Sequence, residues 1–350
     1  MTFGSTAKNL LFILLISVSF FACKDDKNIT ESNPPEEVDV FEQNKLLGKG
    51  INLGNALEAA NEGDWGVTLK EEYFSIIKNA GFNSIRVPIK WSAHASKISP
   101  YLITPSFFER IDWVIEQAIK NDLAIIINIH HYDEMLANPI EEEARFLKIW
   151  EQIATRYKDY PSKLFFEVLN EPNGNLTAEL WNKILADGVA KIRETNPYRT
   201  VLVGTAEWGG IGGLSKLELP KNDKNIIVSF HYYNPFNFTH QGAEWVAGAD
   251  AWLGTTWSNT EIERNAVIND FNLAISWARS KNVPLNCGEF GAYSKADLTS
   301  RVLWTAMVSQ YAYSENISFH YWEFCSGFGI YDKNTNQFIN ALLKALIPTA

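Results

Sequence analysis

Two kinds of hydrophobic pattern alternate along this chain. Short, nearly unbroken apolar runs, many of them rich in β-branched and aromatic residues, stand at 50–53, 84–88, 124–129, 164–169, 200–203, 226–230, 284–287 and 318–321. Apolar runs of this length without strict alternation are what strands buried on both faces look like. Between them, apolar residues recur at helical spacing over 69–80, 106–121, 141–157, 178–195, 261–280 and 295–313, with a terminal segment at 341–346. In one of these, Phe107, Ile111, Val114, Ile115 and Ala118 form a stripe at intervals of three and four, and Thr104 before Pro105 suits a helix start. Another opens at Thr177 with Leu180, Trp181, Ile184 and Leu185 on its apolar side. The crossover after the fifth strand, around 214–217, looks stunted. Eight strands alternating with helices over roughly 300 residues predict an α/β fold, a single-domain (β/α)8 TIM barrel, rather than an open doubly wound sheet.

The polar residues become informative once the strands are placed. The fourth run, Leu164-Phe165-Phe166-Glu167-Val168-Leu169, stops at Asn170-Glu171-Pro172, where Pro172 cannot donate to a ladder. The seventh ends in Cys287-Gly288-Glu289-Phe290-Gly291. Asn55 and Glu58 follow the first strand, and Arg86 lies in the second. His130-His131 end the third, Glu207-Trp208 follow the fifth, His231-Tyr232-Tyr233 end the sixth and Trp322 follows the eighth. In a closed barrel these ends ring one mouth, which is where such barrels carry their chemistry. Two carboxylates in one mouth are the minimum equipment for cleaving a glycosidic bond.

Several motifs resolve to packing. Gly48, Gly50 and Gly54 lack dinucleotide-fingerprint spacing. Successive strand residues point to opposite faces, so His130 and His131 are not expected to share a metal ion. Neither metal nor cofactor is expected. Trp65, Trp113, Trp150, Trp181, Trp277 and Trp304 lie on or near helices and are assigned to packing. Glu323 and the run 141–143 are set aside as carboxylates of loops and of a helix first turn.

Composition narrows the classes. The 350 residues are 46% hydrophobic and 21% charged, enough for one large core. A net charge of −10 argues against nucleic acid, which demands a basic face. Twelve Trp and 13 Tyr suit sugar rings, though they also fill cores. Three cysteines give no disulfide framework; Cys287 and Cys325 are expected as buried thiols, with a bridge between adjacent strands as the alternative. The N-terminus is expected to be a targeting segment. Lys8 is followed by an apolar run, 10–22, too short to span a bilayer. Phe20-Phe21-Ala22-Cys23 resembles the cleavage box of a bacterial lipoprotein, with Cys23 carrying the lipid. The expected organisation is a signal at 1–23, a polar tether at 24–40 and a catalytic domain at 41–350.

From about Gly48 onward the chain resembles glycoside hydrolase family 5. The likeness rests on Gly50-Ile51-Asn52-Leu53-Gly54-Asn55-Ala56-Leu57-Glu58-Ala59, Ile129-His130-His131-Tyr132, Leu169-Asn170-Glu171-Pro172, Gly204-Thr205-Ala206-Glu207-Trp208-Gly209-Gly210, His231-Tyr232-Tyr233-Asn234-Pro235, Gly288-Glu289-Phe290-Gly291 and Tyr321-Trp322-Glu323-Phe324-Cys325-Ser326-Gly327. The resemblance implies Glu171 as acid/base and Glu289 as nucleophile, with Arg86, His130, Asn170, His231, Tyr233 and Trp322 as support. Retention needs the two carboxyls about 5–5.5 Å apart, one protonated and one ionised. Asn55, Glu58, His131, Trp208 and Trp245 are expected at flanking positions. The expectation is a monomeric, secreted or surface-lipidated bacterial endo-β-1,4-glucanase. Mannan, glucomannan or xyloglucan are alternative substrates on the same scaffold. A non-catalytic sugar-binding barrel would lack one of the two carboxylates. A metal-dependent barrel hydrolase would need a His-x-His at the first strand, where Asn52-Leu53-Gly54 stands.

Overall fold

The computed structural model describes residues 1–4 and 38–348. Residues 5–23 of the expected signal segment, Cys23 among them, and most of the expected tether lie outside the described residues. A helix, Val40–Leu47, begins at the last residue assigned to the tether.

Strands β1 (Lys49–Asn52), β2 (Ser84–Val87), β3 (Ala124–Asn128), β4 (Leu164–Glu167), β5 (Val201–Gly204), β6 (Ile226–Tyr232), β7 (Leu285–Phe290) and β8 (Ser318–Tyr321) close in sequence order into one barrel. Neighbours pair in parallel, and β1 pairs β8 to shut the ring. Helices Glu71–Asn79, Pro105–Lys120, Pro139–Tyr157, Ala178–Arg193, Glu261–Lys281 and Leu298–Ser314 cover its outside, making a (β/α)8 barrel. The fifth crossover has only a short 3-10 turn, Ile211–Lys216, as its apolar content foretold. Helix starts follow local chemistry. Thr177 accepts from the Leu180 N–H, and Thr260 forms a capping box with Glu263. Thr104 differs from the expectation: it makes no cap hydrogen bond, and its hydroxyl donates to the His94 carbonyl at 3.0 Å instead.

Each strand is buried on both faces because outward residues meet helices and inward residues meet each other. Outward-facing Ile125, Ile127, Phe166, Val203 and Val228 belong to the main core. Inward-facing Ala124, Ile126, Phe165, Leu202 and Ile227 form a second cluster with Val40 and Leu47, so the N-terminal helix plugs the barrel floor. On the other side of the interior a polar net runs through Ser84, His320, Asn286, Ser318 and Asn44. Above these layers Asn52, Arg86, Asn128 and Glu167 point inward, fully or almost fully buried. The chemistry stands on that polar layer.

Two departures from regular pairing matter. Phe230 pairs Cys287, but His231 pairs Glu289, so β7 carries an extra residue at Gly288. Such a bulge re-aims the side chains after it. Strict alternation would turn Glu289 to the same face as core-facing Cys287; the bulge brings it inward. Gly288 is required there, since a Cβ would stand 2.5 Å from the Ser229 hydroxyl. At the mouth, the non-glycine residues Asn55, His131, Glu171, Glu207 and Trp208 have φ between 43° and 64°. Left-handed backbone costs about 1–2 kcal/mol per residue and gathers at functional sites, where it aims side chains.

Candidate active site

The strand ends enclose a cleft of about 570 Å³, lined by Asn55, Glu58, Trp65, His130, His131, Asn170, Glu171, Tyr233, His240, Trp245, Glu289, Tyr293, Trp322 and the turn Ser326-Gly327-Phe328. Glu171 and Glu289 meet at its floor with His231. One oxygen from each carboxylate and one imidazole nitrogen lie within 4.8 Å of one another. That closeness matches the about 5–5.5 Å that retaining glycosidases keep between their two carboxyls.

The two glutamates have different surroundings. Glu289, 5% exposed, receives the Arg86 Nη1–H at 2.7 Å on one oxygen and the Tyr233 hydroxyl at 3.0 Å on the other. Both donors orient its two oxygens. Burial, then the charges of Glu289 and Glu171, push the Tyr233 phenol well above its ordinary value, so it stays a donor. Glu171 is more open, and its Oε1 lies 2.7 Å from His231 Nδ1. Burial alone would lower the His231 pKa, but the Glu289 charge and the Glu171 hydrogen bond outweigh it, so the net shift is upward. His231 Nδ1 is also 3.6 Å from Glu289 Oε2. The imidazole thus stands where a proton can be held between the two carboxylates.

These three atoms have the spacing of a metal-ligand set. However, Arg86 and Tyr233 already donate to the Glu289 oxygens, so a cation there would stand beside a buried guanidinium charge. The donor set fits an anionic nucleophile better than a metal.

The remaining expected residues distribute as follows. Asn170 Oδ1 accepts from Arg86 Nη2 at 2.8 Å, which turns its amide N–H2 toward the cleft. Asn128 Oδ1 accepts from the Ile89 N–H, so its amide N–H2 faces His130 Nδ1 at 3.0 Å and leaves Nε2–H to face outward. Burial, helped by neighbouring positive charge, lowers the His130 pKa well below ordinary and keeps the ring neutral. The Trp322 ring lies nearly parallel to it, centroids 6.1 Å apart. His131 does not point away from His130, as alternation required. Its ring lies 4.5 Å from that of His130, because β3 has ended at Asn128 and a φ of 47° turns the chain. Trp208 is 61% exposed and stands outside the cleft proper. Its N–H donates to the Pro172 carbonyl, and a Cβ at Gly209 would touch the His231 ring and Glu171. Trp208 therefore flanks the Glu171 side. Trp245 is equally exposed and packs on Tyr293 and Phe328 at the rim.

Glu58 is fully buried, and its carboxylate accepts the backbone N–H groups of Asn55 and Ala56. It shapes the turn that presents Asn55 rather than offering a free flanking contact. Burial, against those backbone donors, raises its pKa to about 8. Glu323, set aside by sequence, does the same for the opposite loop. It accepts from the N–H groups of Cys325, Ser326 and Phe328, and burial raises its pKa to about 7. Both cysteines of the barrel are free and buried.

Trp65, His240 and Glu167 are among the residues that escaped sequence reasoning. Trp65, assigned to packing, is 47% exposed on the cleft wall, its ring edge-on to His131 at 5.5 Å. Its loop is pinned by Glu62, which accepts from the Leu69 N–H and pairs with Arg110. His240 lines the cleft beside Tyr233, burial lowering its pKa to about 4. Glu167 forms a two-pronged pair with Arg86. A charged residue inside an apolar strand was the available signal for Glu167. For Trp65, nothing in the sequence distinguished a cleft wall from a surface loop.

Residues 47–327 match the family model described as cellulase (glycosyl hydrolase family 5). Endoglucanase H of Acetivibrio thermocellus is 35% identical over 321 residues, 90% of this chain; the chain spans 34% of that relative's length. Cel5A of Thermotoga maritima, solved with cellobiose and with mannotriose, is 54% identical, with a TM-score of 0.87 over 88% of this chain and all of the other. A hyperthermophilic endo-β-1,4-glucanase solved with substrate is 48% identical, with a TM-score of 0.88 over 89% of this chain and all of the other.

Proposed function

The chain belongs to the cellulase family, glycosyl hydrolase family 5, and from that premise we propose that it is an endo-β-1,4-glucanase acting by double displacement with retention. The observation that carries the mechanism is the closeness of Glu171 and Glu289, one oxygen of each lying within 4.8 Å of the other. Inverting enzymes keep their carboxyls about 6.5–9.5 Å apart to admit a water.

In the first step a Glu289 oxygen bonds to the anomeric carbon, the glycosidic C–O bond breaks, and Glu171 gives its proton to the leaving oxygen. Water then attacks the ester, passing a proton back to Glu171, and Glu289 leaves as carboxylate. Asn170 can donate to the sugar 2-OH, a contact that strengthens in the transition state. The neutral His130 presents an N–H to the same ring, and the Trp322 face supports it. Trp208 on the Glu171 side serves the leaving portion of the chain. A polymer is the substrate the cleft favours, since its open rim carries exposed indoles at Trp65, Trp208 and Trp245.

A mannan backbone is the second reading. Its support is the mannotriose complex of the Thermotoga maritima relative, 54% identical to this chain. Reducing-end release from carboxymethyl-cellulose, barley glucan, xyloglucan, glucomannan and galactomannan, measured side by side, separates the two. Proton NMR of the first product should show the β anomer. An initial α anomer refutes retention.

We further propose that the enzyme acts as a monomer, its cleft being complete within one chain, and sits on a bacterial cell surface through a lipid on Cys23. The support is the apolar segment ending in Ala22-Cys23. Cys23→Ser should move the protein from the detergent to the aqueous phase; wild type found wholly in the aqueous phase refutes the anchor.

A further inference from the structure

We propose that Glu167 is a positioning residue for the double displacement: it aims Arg86 and keeps the buried cluster from carrying an uncompensated cation when Glu289 becomes an ester. The proposal rests on the retaining reading above. Arg86 is fully buried, and all five of its N–H groups are engaged. Nε donates to Glu167 Oε2 at 2.6 Å and Nη2 to Glu167 Oε1 at 2.8 Å. Nη2 also serves Asn170 at 2.8 Å, while Nη1 serves Asn52 at 2.9 Å and Glu289 at 2.7 Å. Glu167 itself is 2% exposed and lies below the cleft, out of reach of a substrate. A forked pair of this kind fixes the guanidinium plane. It thereby fixes where Nη1 meets the nucleophile and where Nη2 meets Asn170.

Charge gives the second argument. Before reaction two carboxylates surround one guanidinium, a net charge of −1. When a Glu289 oxygen bonds to the anomeric carbon, that carboxylate becomes a neutral ester and the cluster sums to zero. With a neutral residue at 167 the cluster would pass from zero to +1, and an uncompensated buried charge is costly. Other groups face the cluster too. Glu171, His231 and Tyr233 stand on the cleft side; with a polysaccharide Glu171 becomes a carboxylate in the same step, but it makes no hydrogen bond to the guanidinium, and an aryl group that leaves unprotonated lets Glu171 keep its proton. His130 and His320 have burial holding their imidazoles neutral, and Cys287 stays protonated. Lys90 faces the histidines but is paired with Asp133.

The test uses the whole chain with a 2-deoxy-2-fluoro-β-cellobioside bearing a dinitrophenyl leaving group, which traps the glycosyl-enzyme. In Glu167→Gln the adduct on Glu289 should form on the order of 100-fold more slowly, because the new cation is disfavoured. Hydrolysis of the adduct should not slow, since that step removes the cation. Glu167→Asp keeps the charge, so its trapping rate should recover most of the loss. Equal slowing of both steps in Glu167→Gln overturns the proposal. So does a Glu167→Asp enzyme as slow as Glu167→Gln. If Glu167→Gln does not fold, Glu167→Asp decides alone: slowing of formation and hydrolysis by the same factor refutes the charge role. A wild-type enzyme that forms no adduct on Glu289 would instead refute the retaining mechanism itself.

Discussion

Tyr233→Phe isolates one hydrogen bond to the nucleophile. The hydroxyl donates to Glu289 Oε2 at 3.0 Å, while Arg86 serves the other oxygen. Once the hydroxyl is gone, His231 Nδ1 stands 3.6 Å from Oε2, beyond good hydrogen-bond range. Phenylalanine keeps the ring that packs on His240 and Phe328, so the perturbation is confined to the O–H. A hydrogen bond to a charged group contributes about 1.5–3 kcal/mol, and the site is buried enough that solvent does not take over. The donor stabilises the carboxylate that Glu289 becomes again when water attacks the ester, so its loss should slow that step. At 1.36 kcal/mol per tenfold, hydrolysis of the glycosyl-enzyme should slow by about 10–150-fold. The assay is the decay of the adduct formed on Glu289 from a 2-deoxy-2-fluoro aryl β-cellobioside, followed by mass spectrometry in both enzymes. Decay as fast as in the wild type refutes the assignment of Tyr233 as the donor that serves the Glu289 carboxylate.

Glu171→Ala should still form the glycosyl-enzyme from an activated aryl glycoside, then stall, and azide should restore turnover with a β-configured product. Glu289→Ala rescued by azide should give the α product; mass spectrometry and product NMR check both, and swapped outcomes reverse the roles. Ala at Trp65, Trp208 or Trp245 should weaken cello-oligosaccharide binding by about 1–3 kcal/mol by calorimetry, whereas Trp322→Ala should chiefly lower kcat. Equal loss of binding alone in all four rejects this division. The folded values of Glu58 and Glu323, raised to about 8 and about 7, mean both are protonated in the folded state at mildly acid pH. Their stability contribution is complete below the ordinary carboxyl range and is lost as pH rises through 7 to 8, so Tm should fall across that window. Glu58→Gln should flatten the fall, and an unchanged Tm–pH slope in that variant would count against it.

The architecture was legible because burial on both faces leaves continuous apolar runs, and helices on the outside leave a 3.6-residue stripe. Both are local consequences of what each residue touches. The weak fifth crossover was visible for the same reason: 214–217 contains too few apolar positions to make a helix. The Val40–Leu47 helix was not visible, since its role is to close the barrel floor against strands 77 to 187 residues away, at Ala124, Ile126, Phe165, Leu202 and Ile227.

The site divides along the same line. Sequence placed a polar or aromatic residue at the end of nearly every strand, and a ring of parallel strands is enough to bring those ends to one mouth. It could not fix where each side chain points, because that depends on departures from the strand's period of two. The bulge at Gly288 turns Glu289 inward, and the left-handed turn at His131 sets it beside His130. Nor could it tell a carboxylate facing substrate from one facing the protein. Glu58, Glu167, Glu171, Glu289 and Glu323 look alike in a string of letters. Two of them are surrounded by backbone N–H groups, one is locked to Arg86, and two face each other across the cleft. That distinction is made by partners far apart in sequence, and only the closed barrel, which sets those partners at hydrogen-bond distance, decides it.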